Sequence, residues 1–233
     1  MHTLILRLAG PMQSWGVQSR FVVRDTGLEP SKSGVVGLLC AALGRPRIAP
    51  IEDLTVLHMG VRVDQEGNLK RDYHTAQNVY KAAGGKPKDT EVSTRYYLAD
   101  AAFLVGVQCD DDDLLHKLHS ALRNPHWPLY LGRKAFVPGE PVYINGGLRE
   151  GTELIEALRS YPWLGRDKNR YLRLKRENPN GVRAVVDDRD GVQVRPDMPL
   201  SFAERRFAQR RITTRWLEWP PYNSGGLSCT SPD

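Results

Sequence analysis

The chain has 233 residues, of which 40% are hydrophobic and 26% are charged, so a folded protein with a buried core is expected rather than a disordered chain. A net charge of +6 favours a polyanionic partner. The three cysteines are far apart and show neither metal-ligand nor disulfide spacing. Because there is no apolar run of 18 residues and the N-terminus is a strand pattern, we expect a cytoplasmic protein with no membrane partner. We also expect no cofactor and no metal.

The excess positive charge lies in the C-terminal third. Residues 166–217 hold 14 Lys and Arg against 7 Asp and Glu, while the rest of the chain is nearly balanced. Such a segment is either a solvated charged face or a surface that meets nucleic-acid phosphates. The charge pattern leaves both interpretations open.

The first predicted elements are a strand, a helix and a second strand. Residues 3–8 alternate between apolar and polar side chains, which is typical of a half-buried strand. Ser31 or Ser33 is suited to cap a helix that ends at Gly44. Thr55 to Val63 predicts the second strand.

Three further elements complete a known arrangement. Residues 99–108 predict an apolar third strand, Asp111 to Arg123 an amphipathic helix, and Pro128 to Leu131 a short fourth strand. This order is that of ferredoxin-like and RNA-recognition-motif folds, which belong to the α+β class. We therefore expect both helices on one face of an antiparallel sheet and the other face open to a ligand.

The connection between the second and third strands is unusually long, and residues 64–98 are predicted to form a β-hairpin thumb with a flexible basic tip. Residues 1–140 are thus predicted as an RNA-recognition-like domain, and residues 141–233 as a smaller β-rich, basic extension packed on it. In that extension we expect a helix over Glu153 to Ser160 and a hairpin that pairs Tyr171 to Lys175 with Val182 to Val186.

A polar and aromatic cluster follows the first strand. It consists of Met12, Gln13, Ser14 and Trp15. Single-stranded RNA is commonly held by aromatic stacking and by polar groups that contact base edges, so this cluster is a candidate RNA site. The alternative is structural: Trp15 packs over the sheet and Gln13 caps a turn.

The start of the first helix is a candidate phosphate site, formed by Ser31, Lys32, Ser33 and Gly34. Helix N-terminal amides with a nearby lysine attract anions, although ordinary helix capping explains the same residues. The spacing is not that of a Walker motif. A second phosphate clamp is predicted at Arg133 and Lys134, for which a surface charge pair is the alternative.

The thumb carries aromatic, polar and basic residues suited to stacking and phosphate contact. The candidates are Tyr73, His74, Thr75, Gln77, Lys86, Lys88, Thr94, Arg95 and Tyr96. A solvated hairpin whose tyrosines cover the sheet edge is the alternative.

The histidines offer two alternatives to an RNA-binding role, a metal site and a catalytic site. His116 and His119 are three residues apart on a helix, but nothing at ligand spacing supports a metal site there. His74 beside Tyr73, with Lys81 or Lys86, is able in principle to cleave RNA without a metal by general acid–base chemistry.

Several sequence blocks, in order, resemble the CasD family of type I-E CRISPR Cascade complexes. They are residues 4–16, 30–44, 93–101, 130–134 and 201–211. One departure is visible, because the family suggests Cys-Pro shortly after the Gly-Arg-Lys at 132–134, where this chain has Ala135 to Pro138. The departure concerns the local turn.

The resemblance implies a non-catalytic subunit that caps the 5′ handle of the guide RNA (crRNA). It further implies contacts with the backbone filament subunit CasC and the large subunit CasA, with target DNA as a further partner in the assembled complex. A related type I-C subunit cuts repeat RNA with Tyr, Lys and His side chains, so an endoribonuclease is the second hypothesis. A scaffold that contacts only protein is the third.

Overall fold

A computed structural model of the chain describes residues 1–17, 22–80, 84 and 87–222. The described elements, in chain order, are β1 (His2–Gln13), β2 (Val23–Arg24), α1 (Lys32–Leu43), α2 (Glu52–Thr55), β3 (His58–Gln65), β4 (Asn68–Val79), β5 (Lys88–Cys109), α3 (Asp112–Arg123), β6 (Leu148–Arg149), α4 (Leu154–Ser160), α5 (Lys168–Glu177), β7 (Val182–Asp187), β8 (Gln193–Ser201) and β9 (Arg206–Leu217). Among these residues, no helix is long and apolar enough to span a membrane.

One large, mostly antiparallel sheet organises the described chain. Its main path runs β6-β1-β5-β3-β7-β9-β8, while β4 and the short parallel strand β2 pair with β5 outside this path. The C-terminal strands therefore extend the same sheet through the β3–β7 pairing. The mixed helix and sheet content confirms the α+β class at this coarse level.

The two predicted helices begin and end as their capping residues indicate. The Ser31 hydroxyl accepts from the Gly34 amide to start α1, and Gly44 ends it with a left-handed φ of 71°. Asp111 caps α3 in the same way by accepting from the Leu114 amide. Both helices contribute to a core with the alternate residues Leu4, Leu6 and Leu8 of β1.

The prediction of an open sheet face is wrong. On the face opposite α1 and α3, Ile5 and Leu104 are buried against Leu154 and Leu158 of α4. Gly60 and Gly106 let α4 approach closely, since an added Cβ on Gly106 would lie 2.5 Å from a Leu154 methyl carbon. The apolar stripe of α4 thus covers the sheet face that was predicted to be open.

Two further strand predictions are wrong. Residues 128–131 form no strand, and β6 occupies the position beside β1 instead. Tyr171 to Lys175 lies in α5, where the Asp167 carboxylate caps the helix, and Val182 to Val186 belongs to β7, which pairs with β3 and β9. The predicted helix near residue 154 is confirmed as α4.

The insertion after β3 is a hairpin, as predicted, made of β4 and the first half of β5. The pairing runs from Asn68 opposite Ala99 to Val79 opposite Lys88. Gly67, with a φ of 75°, makes the turn into β4, and its Cβ position lies 2.7 Å from the Ala99 carbonyl oxygen, so only glycine fits. The domain boundary at residue 140 stays a prediction.

Candidate nucleic-acid interface

Gln13 and Trp15, the first predicted site residues, are buried and bonded to each other. The Gln13 amide nitrogen donates to the carbonyls of Leu8 (3.0 Å) and Ala101 (2.8 Å), and its oxygen accepts from the Trp15 indole nitrogen at 3.2 Å. Trp15 is 2% exposed and lies against Gly34. A buried ring has no face for a base, so the predicted stacking role of Trp15 is corrected to a packing role.

Met12 and Ser14 complete the turn that leaves β1. Met12 is partly buried and packs against the main core. The Ser14 hydroxyl lies 3.2 Å from the Tyr96 carbonyl oxygen, and the Ser14 amide donates to the Leu131 carbonyl at 3.0 Å. This turn is therefore a structural junction at the end of β1.

Lys32 does not face a ligand. It is 3% exposed, and its ammonium donates to the Leu57 carbonyl (2.7 Å) and to the Asp187 carboxylate (2.9 Å). Burial lowers the pKa of Lys32, with Asp187 acting in the opposite direction. The predicted phosphate contact of Lys32 is corrected to a buried ion pair.

The start of α1 is partly occupied by the protein's own carboxylate. The Lys32 amide donates to Asp197 at 2.8 Å, and Asp197 is held by the guanidinium of Arg210. Ser31 is buried as the cap, while Ser33 and Gly34 are half-buried. Ser31, Ser33 and Gly34 all border an open surface.

That surface is a cleft of about 410 Å³ at the junction of six chain segments. It is lined by Ser14, Trp15, Gly16, Arg24, Asp25, Ser31, Ser33, Gly34, Arg47, Gly132, Arg133, Phe202 and Phe207. The end of β1, the start of α1 and the Gly-Arg-Lys turn, which were predicted as separate sites, are thus brought together.

Arg133 lies at the centre of the positive wall of the cleft. Its guanidinium donates to the carbonyls of Tyr96 (2.9 Å) and Arg24 (3.3 Å) and lies 5.3 Å from the Phe136 ring centre. Burial lowers the pKa of Arg133, and the neighbouring charges of Arg95 and Arg24 act in the same direction. The carboxylates of Asp72 and Asp25 act in the opposite direction, so Arg133 lies among charges of both signs.

Backbone hydrogen bonds close the turn after Gly132, although this chain lacks the Cys-Pro that the CasD resemblance suggests there. The Leu131 amide donates to the Phe136 carbonyl at 2.7 Å, and the Phe136 amide to the Arg133 carbonyl at 2.8 Å. Phe136 is buried and lies 5.8 Å from Tyr97 between ring centres. Lys134 is exposed at this turn.

The hairpin residues divide between two faces. Residues directly opposite each other in a register share a face, and neighbours along a strand alternate. Tyr73 is opposite Thr94, whereas His74 is opposite Ser93. The Tyr73 ring, 72% exposed, therefore lies on the face away from His74.

The remaining hairpin candidates follow the same rule. Thr75, Gln77 and Tyr96 share the face of Tyr73, while Arg95 shares the face of His74, with Arg24 beside it in the β2–β5 register. Lys88 pairs with Glu91 near the tip. Lys86, and Lys81 of the nuclease hypothesis, lie outside the described residues.

Several residues that line the cleft were not identified by sequence reasoning. Among them are Arg24, Asp25, Arg47, Phe202 and Phe207. The Arg47 guanidinium donates to the Phe202 carbonyl at 3.2 Å, and Phe207 is 46% exposed on β9. No local pattern identifies Arg24 or Arg47, because only the long-range pairing of β2 and the β8–β9 hairpin brings them to the cleft.

Comparisons with known proteins give a consistent result. Residues 3–213 match the family described as CRISPR-associated protein (Cas_Cas5). The chain is 33% identical over 220 residues to the CRISPR system Cascade subunit CasD of Escherichia coli (strain K12), which covers 88% of this chain and 93% of that protein.

Two solved structures agree with the sequence match. A crystal structure of a Cas protein is similar with a TM-score of 0.76 and 42% identity, covering 96% of this chain and all of that one. A chain of a CRISPR RNA-guided surveillance complex is similar with a TM-score of 0.71 and 35% identity, covering 91% of this chain and 89% of that one. The chain that folds around this arginine-lined cleft belongs to the Cas5 family of CRISPR-associated proteins.

Proposed function

We propose that this chain is a CasD-type subunit of a CRISPR RNA-guided surveillance complex, in which it binds and caps the 5′ handle of crRNA without cutting it. The observation that carries the proposal is the cleft, which Arg24, Arg47 and Arg133 line together with the partly exposed ring of Phe207. Cations along a groove with an aromatic side chain are suited to a single-stranded backbone and a stacked base.

Each part of the cleft has a separate role in this proposal. The three arginines bind phosphates, and Phe207 stacks a base in place of the buried Trp15. Ser33 and Lys134 border the same path. The β1–α1–β3–β5–α3 core serves as an RNA-recognition-like scaffold, and the face of the hairpin that bears Arg95 and His74 continues the RNA path.

The assembly role follows from the opposite face of the hairpin. Tyr73, Thr75 and Gln77 are exposed there and point away from Arg95. We assign this face to a filament subunit of the CasC type. Contact with a CasA-type large subunit and with target DNA completes the proposed set of partners.

A non-catalytic role is favoured over the nuclease by the geometry of the hairpin. General acid–base cleavage needs both groups within reach of one phosphodiester. Tyr73 and His74 lie on opposite faces of a strand, so they do not converge on one bond.

The test uses end-labelled cognate repeat RNA incubated with the full chain in chelator. Products are resolved on a denaturing gel, and RNA retention is measured in parallel at several salt concentrations. Retention of intact RNA is expected. A discrete cut that His74→Ala abolishes would replace the proposal with the nuclease.

A cleft variant links retention to the site. Arg24→Ala/Arg47→Ala removes two exposed cations, and the matched control Arg123→Ala/Arg159→Ala removes two exposed arginines from α3 and α4. The plot of log K against log salt has a negative slope, and each lost phosphate contact makes it less steep by about 0.7 for a single strand. The slope should therefore become less steep by about 1.4 in the cleft variant and stay unchanged in the control. Equal losses would show that net charge alone holds the RNA.

A further inference from the structure

Helix α5 carries positive charge that the described chain does not neutralise. Most arginines of β7 to β9 have acidic partners, as Arg183 has in Glu29. In contrast, α5 holds five basic residues against one acidic residue. Among the described residues, the one ion pair of this helix joins Arg173 to Glu177 at 3.9 Å.

Three of the remaining cations form the outer face of α5. They are Lys168, Lys175 and Arg176, and all three side chains are exposed. At 3.6 residues per turn they fall within about 100° of one another around the helix axis. Arg170 and Leu174 lie on the opposite side, where they line the pocket beside β3 and β7. The outer face therefore turns away from that pocket.

The helix is held in place by its inner side and its cap. The Tyr171 hydroxyl donates to the Pro220 carbonyl at 2.9 Å, and the Tyr171 ring packs against the rings of Trp163 and Trp219. The Asp167 carboxylate accepts from two amides of the first turn. The outer face is thus presented by a fixed helix.

The charges of α5 are only partly explained by the stability of the helix itself. Lys175 and Arg176 lie in the last turn, where the helix macrodipole favours cations. Lys168 lies in the first turn, where the macrodipole disfavours a cation. Arg173 and Arg176 are three residues apart, a spacing at which like charges are neighbours. A bound anion would offset both costs.

The outer face offers charge but no ring on which a base could stack. Its apolar residue is Leu172, which is 51% exposed, whereas Tyr171 is the aromatic residue of the helix and is 6% exposed. Proteins that bind single strands combine charge with exposed aromatic side chains. In a duplex the bases stack on one another, and the backbones present one negative charge per about 1.7 Å of axis. The outer face is therefore better suited to a duplex.

We propose that the outer face of α5 binds the phosphate backbone of a nucleic-acid duplex. Lys168 and Arg176 are about 12 Å apart along the helix axis, and each binds a phosphate. Lys175 adds a third cation on the same face. Backbone contacts carry no sequence information directly, so the site accepts any base sequence.

This site is separate from the handle cleft, whose lining includes no residue of α5. A duplex bound at the outer face therefore uses none of the groups assigned to the handle. The proposal stands or falls separately from handle binding.

The experiment measures binding of the full chain to a labelled DNA duplex of about 20 base pairs that lacks the handle sequence. The site variant is Lys168→Ala/Arg176→Ala, and the matched control is Lys117→Ala/Arg123→Ala on α3, which also removes one exposed lysine and one exposed arginine. The site variant should bind at least about tenfold more weakly in low salt, and its slope of log K against log salt should be less steep by about 1.8. The control should bind within about twofold of wild type.

A charge reversal separates loss of binding from loss of folding. Lys168→Glu places an acidic side chain in the first turn, where the macrodipole favours it, so the Tm should not fall. Duplex binding should nevertheless weaken by about tenfold or more. Lys117→Glu is the control and should bind within about twofold of wild type. Unchanged binding in Lys168→Glu, or an equal loss in Lys117→Glu, would overturn the proposal.

The form of the nucleic acid is tested with an RNA duplex and the separate strands of the same sequence. Wild type should bind either duplex more tightly than its strands, and the α5 variants should lose that preference. Equal weakening for DNA and RNA duplexes would support recognition of the shared backbone charge, whereas a larger loss for one would identify the natural duplex. Tighter binding of single strands through α5 would contradict the proposal.

Handle RNA provides the internal reference. The α5 variants should retain handle RNA like wild type, and Arg24→Ala/Arg47→Ala should still bind the handle-free duplex. Loss of both ligands in both variants would mean one continuous surface and contradict a separate site.

Discussion

The ammonium of Lys32 lies 2.9 Å from the carboxylate of Asp187, and this ion pair joins the first turn of α1 to the end of β7. Both side chains are largely buried, and Arg210 binds the other oxygen of the same carboxylate. The network holds the β8–β9 hairpin, which carries Phe202 and Phe207, against α1. One wall of the cleft is therefore fixed by a contact between two residues that are 155 positions apart in the sequence.

Replacing Lys32 should destabilise the fold rather than alter the RNA site directly. Lys32→Met leaves Asp187 with one cation and the Leu57 carbonyl without its donor, so the free energy of unfolding should fall by about 3 kcal/mol. Chemical denaturation measures this. Lys88→Met on the exposed hairpin should change it by less than about 0.5 kcal/mol, and a comparable loss there would contradict the assignment.

Asp187 should give the protein an acid-sensitive component of stability. Burial alone would raise the pKa of Asp187, but the charges of Lys32 and Arg210 outweigh it and hold the pKa below its ordinary value. A carboxyl with a lowered pKa stabilises the folded state above its unfolded pKa of about 4, and this stability is lost as the pH falls towards the folded pKa. The stability difference between wild type and Asp187→Asn should therefore shrink below pH 4. A constant difference from pH 7 to pH 3 would contradict this.

The buried amide of Gln13 should matter for stability. Gln13→Ala removes the side-chain partner of two carbonyls and of the Trp15 indole N–H, which costs about 3 kcal/mol of unfolding free energy. Gln77→Ala, at an exposed hairpin position, is the matched control and should cost less than about 0.5 kcal/mol. A small effect of Gln13→Ala together with weaker RNA binding would restore the direct contact role.

Gly132 should tolerate no side chain. Its φ is 94°, and an added Cβ would lie 1.8 Å from the Ser14 carbonyl oxygen, so Gly132→Ala must push the arginine-bearing turn away from β1. A loss of about 3 kcal/mol is expected from strain and overlap. Gly146→Ala is the control, because Gly146 also has a positive φ of 64° but open space around it, and it should cost about 1 kcal/mol. Equal losses would mean that backbone conformation, not contact with Ser14, is decisive.

Anions should stabilise the crowded arginines of the cleft. A handle RNA present at 100 times its dissociation constant adds about 2.7 kcal/mol, which raises the Tm by about 5–10 °C for a chain of this size. Arg133→Met should reduce this increase, whereas Arg159→Met on α4 should leave it unchanged. Differential scanning fluorimetry measures both, and an equal Tm rise in Arg133→Met would exclude Arg133 from the anion site.

Local patterns predicted α1 and α3, because each combines a capping residue with an apolar stripe, and they predicted α4 without a capping residue. The hairpin was predicted from the unusual length of the connection over residues 64–98. Local patterns failed for α5, where a good turn sequence at residues 178–181 was interpreted as the centre of a hairpin. In the structure that turn joins α5 to β7, and β7 pairs with strands distant in sequence.

The candidate site was predictable only in outline. The segments around Ser14, Ser33 and Arg133 were identified, and they meet in one cleft. For Trp15 the sequence left stacking and packing as open alternatives, and it did not indicate that Lys32 turns inward, because burial depends on how β1, α1 and β7 pack together. Arg24 and Arg47 were missed for the same reason, since their positions depend on tertiary pairing.

The length of β5 has a consequence for assembly. Its 22 residues run without a loop from the outer part of the hairpin into the centre of the sheet, where β5 pairs with both β1 and β3. Asp100, with a φ of 56°, is where its backbone departs from strand conformation. The segment beyond it is tied to the body of the protein, because Arg133 and Ser14 bond to the Tyr96 carbonyl and β2 pairs with Thr94 and Arg95. In the proposed function, a subunit that binds the outer hairpin therefore contacts the same strand that helps to hold Arg133 at the cleft.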